Sequence, residues 1–194
     1  MEPLFTSTAV VALAEIGDKT MLLAILLATR FRKPFPIVLG ILVATLANHG
    51  IAAFLGQSIA SWLQGPWFRI AVGVSFIAMA AWTLVPDKLD DEETVKTPRL
   101  GAFLTTTIAF FVVEIGDKTQ IATIALGAQF GNVLLVTLGT TLGMMIANVP
   151  AVYFGNAIVE RVSLKWVRII AALLFLVIGI WVILAAFPLL DTGG

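Results

Sequence analysis

The chain has 194 residues, 59% of them hydrophobic and only 12% charged, with twelve basic and twelve acidic side chains, one histidine and no cysteine. Mean hydropathy is +1.01. A soluble domain is nearer half apolar and a quarter charged, so this composition excludes a water-soluble enzyme. The cancelled charge leaves no basic field for nucleic acid, and the missing cysteines exclude disulfides and thiolate sites.

A bilayer core about 30 Å thick takes roughly 20 apolar helical residues to cross. Six such runs follow one another: Leu4–Thr29, Ile37–Ala60, Trp67–Pro86, Leu100–Ala128, Val133–Val159 and Trp166–Phe187. They predict an all-α polytopic membrane protein of six transmembrane helices. Met1-Glu2-Pro3 lacks the basic start of a signal peptide, so the first run is expected to stay in the chain. The long polar stretch, DKLDDEETVKTPR at 87–99, reads as a solvated linker between residues 1–86 and residues 100–194. Loops one, three and five carry Arg30, Arg32, Lys33, Lys88, Lys96, Arg99, Arg161, Lys165 and Arg168, against Arg69 alone on the other side. That bias places these loops in the cytoplasm and both termini outside.

A shift of 99 residues lays Glu15-Ile16-Gly17-Asp18-Lys19-Thr20 on Glu114-Ile115-Gly116-Asp117-Lys118-Thr119. The same shift aligns Leu39-Gly40 with Leu138-Gly139, Gly56 with Gly155, Trp67 and Arg69 with Trp166 and Arg168, and Trp82 with Trp181. The chain therefore reads as two copies of a three-helix unit. Three is odd, so the second copy enters the membrane from the opposite face. Inverted repeats of this kind build many secondary transporters, with the site at mid-membrane between the halves.

Glu15, Asp18, Lys19, Glu114, Asp117 and Lys118 fall inside the apolar runs. A carboxylate at such depth costs at least about 2.5 kcal/mol, so it has to be paired, protonated or cation-bound. On unbroken helices each triplet shares one face through i,i+3 and i,i+4 spacing, and the two faces would meet at the pseudo-axis. Four acids and two bases leave a formal charge of −2, which one divalent cation or two protons neutralise. Occupancy alternating between metal and protons is the physical core of an antiport. The intramembrane pairs Asp18–Lys19 and Asp117–Lys118 also read as purely structural, but Glu15 and Glu114 then remain in excess. Glycine before aspartate, a stopper before an N-cap, is either a break in the helix at Gly17 and Gly116 or ordinary packing. Only a break would let Thr20 and Thr119 act as ligands.

Further polar groups lie nearby. Gln120 follows the second hexapeptide where Met21 follows the first; Asn48 and Asn148 sit in the second and fifth runs. Each is an additional oxygen ligand, a gating group or an interhelical hydrogen-bonder. His49 reads more readily as a satisfied polar contact than as a relay or ligand. Carboxylate, amide and hydroxyl oxygens suit Mg²⁺, Ca²⁺ and Mn²⁺, and physics alone does not separate them.

The twice-occurring Glu-x-Gly-Asp-Lys-Thr motif resembles the second cation/proton exchanger family, Golgi manganese and calcium transporters with bacterial manganese exporters, within the lysine-exporter-like superfamily. The resemblance implies a divalent-cation exporter driven by protons, not an enzyme, with no resident cofactor. It implies metal ligands at Glu15, Asp18, Glu114 and Asp117, with Lys19 and Lys118 balancing charge. The chain looks like a bacterial member, in the inner membrane, exporting Mn²⁺; Ca²⁺/H⁺ exchange at the same site is the alternative. Its partners are then the ion, protons and the lipid bilayer, with monomer or homo-oligomer left open.

Overall fold

In the computed structural model, residues 1–63, 65–86, 100–155, 157 and 163–187 are described. The acidic linker at 87–99, with Lys88, Lys96 and Arg99, lies outside them, as does Arg161. The described residues form eight helices: α1 (Glu2–Glu15), α2 (Lys19–Phe31), α3 (Pro34–Trp62), α4 (Pro66–Thr83), α5 (Gly101–Glu114), α6 (Lys118–Phe130), α7 (Val133–Phe154) and α8 (Leu164–Leu184). No strand occurs among them.

Local chemistry sets the ends. Prolines at the starts of α3 and α4 fill positions whose N–H has no helical partner. Asn132 caps α7 by accepting from the Leu135 N–H at 3.0 Å. Gly131 ends α6 with φ +60°, the left-handed turn that glycine adopts without strain. α7 continues beyond Pro150 to Phe154.

α3, α4, α7 and α8 are each long and apolar enough to cross a membrane. The first and fourth apolar runs are different: each is split at its hexapeptide into two shorter helices. α1 and α5 have 14 residues each, α2 and α6 have 13. At 1.5 Å per residue these halves reach only about 20 Å, while a pair end to end reaches about 40 Å. The 99-residue offset is kept to the residue at both ends of α1 and α5 and of α2 and α6.

Packing crosses between the two halves of the chain. α1 lies against α7 and α5 against α3; α6 lies against α3 and α2 against α7. α4 and α8 pack on each other, where Phe76 stacks on Phe175 with ring centroids 6.3 Å apart, two residues that the 99-residue shift also aligns. Small residues permit these contacts, since apolar lipid offers little hydrophobic drive for helix association. A Cβ on Gly56 of α3 would stand 2.0 Å from the Ile124 carbonyl oxygen of α6, and one on Gly127 would stand 2.4 Å from that of Ala53. The two backbones touch, so only glycine fits.

Candidate metal centre

The hexapeptides form two breaks at the middle of the molecule. α1 stops at Glu15, Gly17 turns with φ +82°, and Asp18 begins α2; α5 stops at Glu114, Gly116 turns with φ +77°, and Asp117 begins α6. Positive φ disfavours any residue with a Cβ, which is why the motif has glycine there. Asp117 accepts from the Thr119 N–H at 3.4 Å. The helical face of i,i+3 and i,i+4 neighbours is thus replaced by something tighter. Each break folds the threonine back onto the glutamate five residues earlier. Thr20 Oγ1 donates to Glu15 Oε2, and Thr119 Oγ1 donates to Glu114 Oε2 at 3.1 Å and Asp117 Oδ2 at 3.3 Å.

Three acids converge. Glu15, Glu114 and Asp117 are all buried and each offers a carboxylate oxygen within 4.8 Å of the other two. Asp18 is not in this trio. Its Oδ1 stands 3.6 Å from Lys118 Nζ, while Lys19 Nζ stands 3.3 Å from Asp117 Oδ1. The ion pairs are therefore crossed: each lysine reaches the aspartate of the other hexapeptide, not its own neighbour. Such pairing ties the two halves together at the site.

The neutral groups divide. Asn148 Nδ2 donates to the Met144 carbonyl at 3.1 Å and lies 3.4 Å from Glu15 Oε2. Asn48 and Gln120 make no hydrogen bond to the trio among the described residues. Gln120 Nε2 donates to Asn48 Oδ1 at 2.6 Å, Asn48 Nδ2 donates to the Phe111 carbonyl at 3.3 Å, and the Gly116 N–H donates to Gln120 Oε1 at 2.7 Å. This amide strap spans the second break from α3. At the first break the Gly17 N–H meets Met21 Sδ at 3.2 Å instead. His49, expected from the sequence as a satisfied contact, is fully buried with Nε2 3.5 Å from Glu114 Oε2, and neither ring nitrogen has a hydrogen-bond partner. The signal that points to it is the shift of 99 residues, which lays His49 on Asn148.

The surroundings are asymmetric. Ala14, Thr83, Val85 and Arg168 line a small void beside Gly17 and Asp18, and a Cβ on Gly17 would stand 2.6 Å from a Leu164 methyl. Among the described residues, nothing lies within 4 Å of the same position on Gly116. A larger cavity of about 680 Å³ opens between the ends of α3, α6 and α8 and the start of α4, but none of the acids lines it.

Buried acceptors remain open at the centre. Glu15 Oε1, Glu114 Oε1 and Asn148 Oδ1 have no hydrogen-bond partner, and buried polar atoms in this state are costly. With Asp18 set against Lys118, the trio and Lys19 carry a formal −2. A lone divalent cation matches both the charge and the open oxygens.

The family model for the divalent cation/proton antiporter GDT1 matches residues 3–91 and 102–189. A Vibrio cholerae protein described as "Putative manganese exporter" is 51% identical over 181 residues, covering 93% of this chain and 90% of that protein. GDT1-like protein 5 of Arabidopsis thaliana is 31% identical over 210 residues, covering 90% and 92%, and a GDT1-like protein of Synechocystis is 30% identical over 185 residues, covering 85% and 88%. No solved structure matches. The family is one of antiporters, not enzymes, and its model runs through both halves and both hexapeptides: the chain belongs to the GDT1 family of membrane divalent cation/proton antiporters.

Proposed function

We propose that the protein exports Mn²⁺ from the bacterial cytoplasm in exchange for protons, by alternating access at the carboxylates of the two breaks. One observation carries the reading: three buried carboxylates, drawn from both halves of the chain, stand within 4.8 Å of one another with glutamate oxygens left unsatisfied. Glu15, Glu114 and Asp117 bind the ion, with Thr20, Thr119 and Asn148 beside them. Asp18, Lys19 and Lys118 set the charge and link the halves; Asn48 and Gln120 brace the second break. Emptied of metal, the same oxygens take protons, so the two cargoes compete for one set of lone pairs. The 51% identity to the Vibrio protein favours Mn²⁺ over Ca²⁺ as cargo.

The architecture is six spans in two inverted repeats, 1–86 and 100–194, joined by the linker at 87–99. Four long helices and two broken ones of about 40 Å support it, as does the exchange of partners between halves, α1 on α7 and α5 on α3. The cationic loops put both termini outside the inner membrane. One covered break and one open break are what alternating access leaves when a single path is closed. Proteoliposomes test the function. With an imposed pH gradient, Mn²⁺ should move against its own gradient, and Glu114→Gln should stop it. Saturable Ca²⁺ transport indifferent to Mn²⁺ would reverse the cargo, and no ion movement with intact protein would end the proposal.

A further inference from the structure

Resting on that carboxylate site, we infer that His49 is a nitrogen ligand of the transported ion and that this one imidazole makes the site prefer divalent transition-metal ions over alkaline-earth ions. A neutral imidazole has one N–H and one lone pair, and burying both without partners is costly. His49 is in that position, fully buried on α3 with neither nitrogen hydrogen-bonded. Its Nε2 lies 3.5 Å from Glu114 Oε2, too long for a good N–H···O bond. The separation fits another geometry. Two atoms bound to one ion at about 2.1–2.3 Å stand roughly 3.0–3.6 Å apart at ordinary coordination angles. An ion seated between Glu114 and His49 would take the open lone pair of the ring and a carboxylate oxygen of the trio at once.

The repeat makes the choice of element legible. Each glutamate is faced by one neutral side chain from the long helix of the other half: Asn148 by Glu15, His49 by Glu114. The shift of 99 residues superposes these two positions, so at this place the halves carry different donors, amide on one side and imidazole on the other. An all-oxygen set serves Ca²⁺ and Mg²⁺ well, whereas a nitrogen donor adds affinity for first-row transition ions and little for alkaline earths.

Because His49 is the one histidine of the chain, isotope labelling addresses it alone. Protein purified in detergent and loaded with Mn²⁺ should show ¹⁴N couplings in pulsed electron paramagnetic resonance, replaced by ¹⁵N couplings when grown on ¹⁵N-histidine. Bound Mn²⁺ with no histidine coupling, as a plain His49–Glu114 ion pair would give, overturns the inference. This measurement needs no variant, so it decides the matter even where substitution harms folding. His49→Asn, which installs the donor of the other half, should weaken Mn²⁺ binding about tenfold, near 1.4 kcal/mol, with Ca²⁺ binding nearly unchanged. An unaltered Mn²⁺/Ca²⁺ ratio overturns it as well. Glu15→Gln and Glu114→Gln report on the carboxylate site separately: if both bind Mn²⁺ like the parent protein, the site itself is wrong and the ligand role of His49 goes with it.

Discussion

Removing one acid from the trio should stabilise the empty protein while abolishing its response to metal. At separations of no more than 4.8 Å and an effective dielectric near 20, each pair of ionised carboxylates repels by about 3.5 kcal/mol. Glu114 takes part in two of the three pairs, and Lys19 beside Asp117 offsets part of the total. With one proton shared in the trio and kept between Glu15 and Asp117 in the variant, Glu114→Gln removes the one repelling pair, about 3.5 kcal/mol. The hydrogen bond from Thr119 is worth about 1 kcal/mol, and the amide oxygen can still accept it. The net gain is then about 2–3 kcal/mol, a rise in Tm of roughly 4–12 °C for a chain of this size. Thermal melts in detergent with a chelator measure it. At a hundredfold excess over Kd, Mn²⁺ should stabilise the parent protein by about 2.7 kcal/mol and the variant not at all. A Glu114→Gln protein that melts lower without metal, and still gains stability from Mn²⁺, would refute the reasoning.

Three other outcomes are expected. Gly56→Ala drives a methyl into the backbone of α6 and should cost more than about 2 kcal/mol or prevent folding, read by monodisperse yield, while Gly50→Ala, with its nearest neighbour at 3.8 Å, should stay within about 0.5 kcal/mol of the parent. Gly17→Ala and Gly116→Ala each lose about 1–2 kcal/mol to positive φ, but only the first also displaces Leu164, so its Tm should be the lower of the two; equal melting would contradict the one-sided covering of the breaks. Lys118→Met removes the cation 3.6 Å from buried Asp18 and should destabilise the protein. Adding Asp18→Asn should recover most of that in denaturation experiments, whereas Asp117→Asn should not, because the pairs are crossed.

Much of the site is legible along the chain. The paired hexapeptides, the 99-residue offset and the charge trapped in apolar runs are properties of the sequence alone. Glycine followed by aspartate is a local signal, stopper then cap, and the helices do end and restart there. The break then brings Thr20 and Thr119 onto the glutamates, which an unbroken helix forbids. Other features depend on how the halves dock. Shared helical faces would put all four acids in one cluster, yet Asp18 stands outside the trio, beside Lys118 of the other half. Along the chain His49 reads as a core polar residue, and only the packing of α3 beside α5 brings it to Glu114.

That the protein is helical and apolar, that it is built twice, and which six charged residues it must hide all follow from residue order, since composition, periodicity and burial cost are local quantities. Which acids stand together, which lysine answers which aspartate, and which neutral side chains face the glutamates are settled at the tertiary level. Those are distances between residues 98 to 133 positions apart. They arise from how the two halves of the chain interlock, and no spacing within either half encodes them.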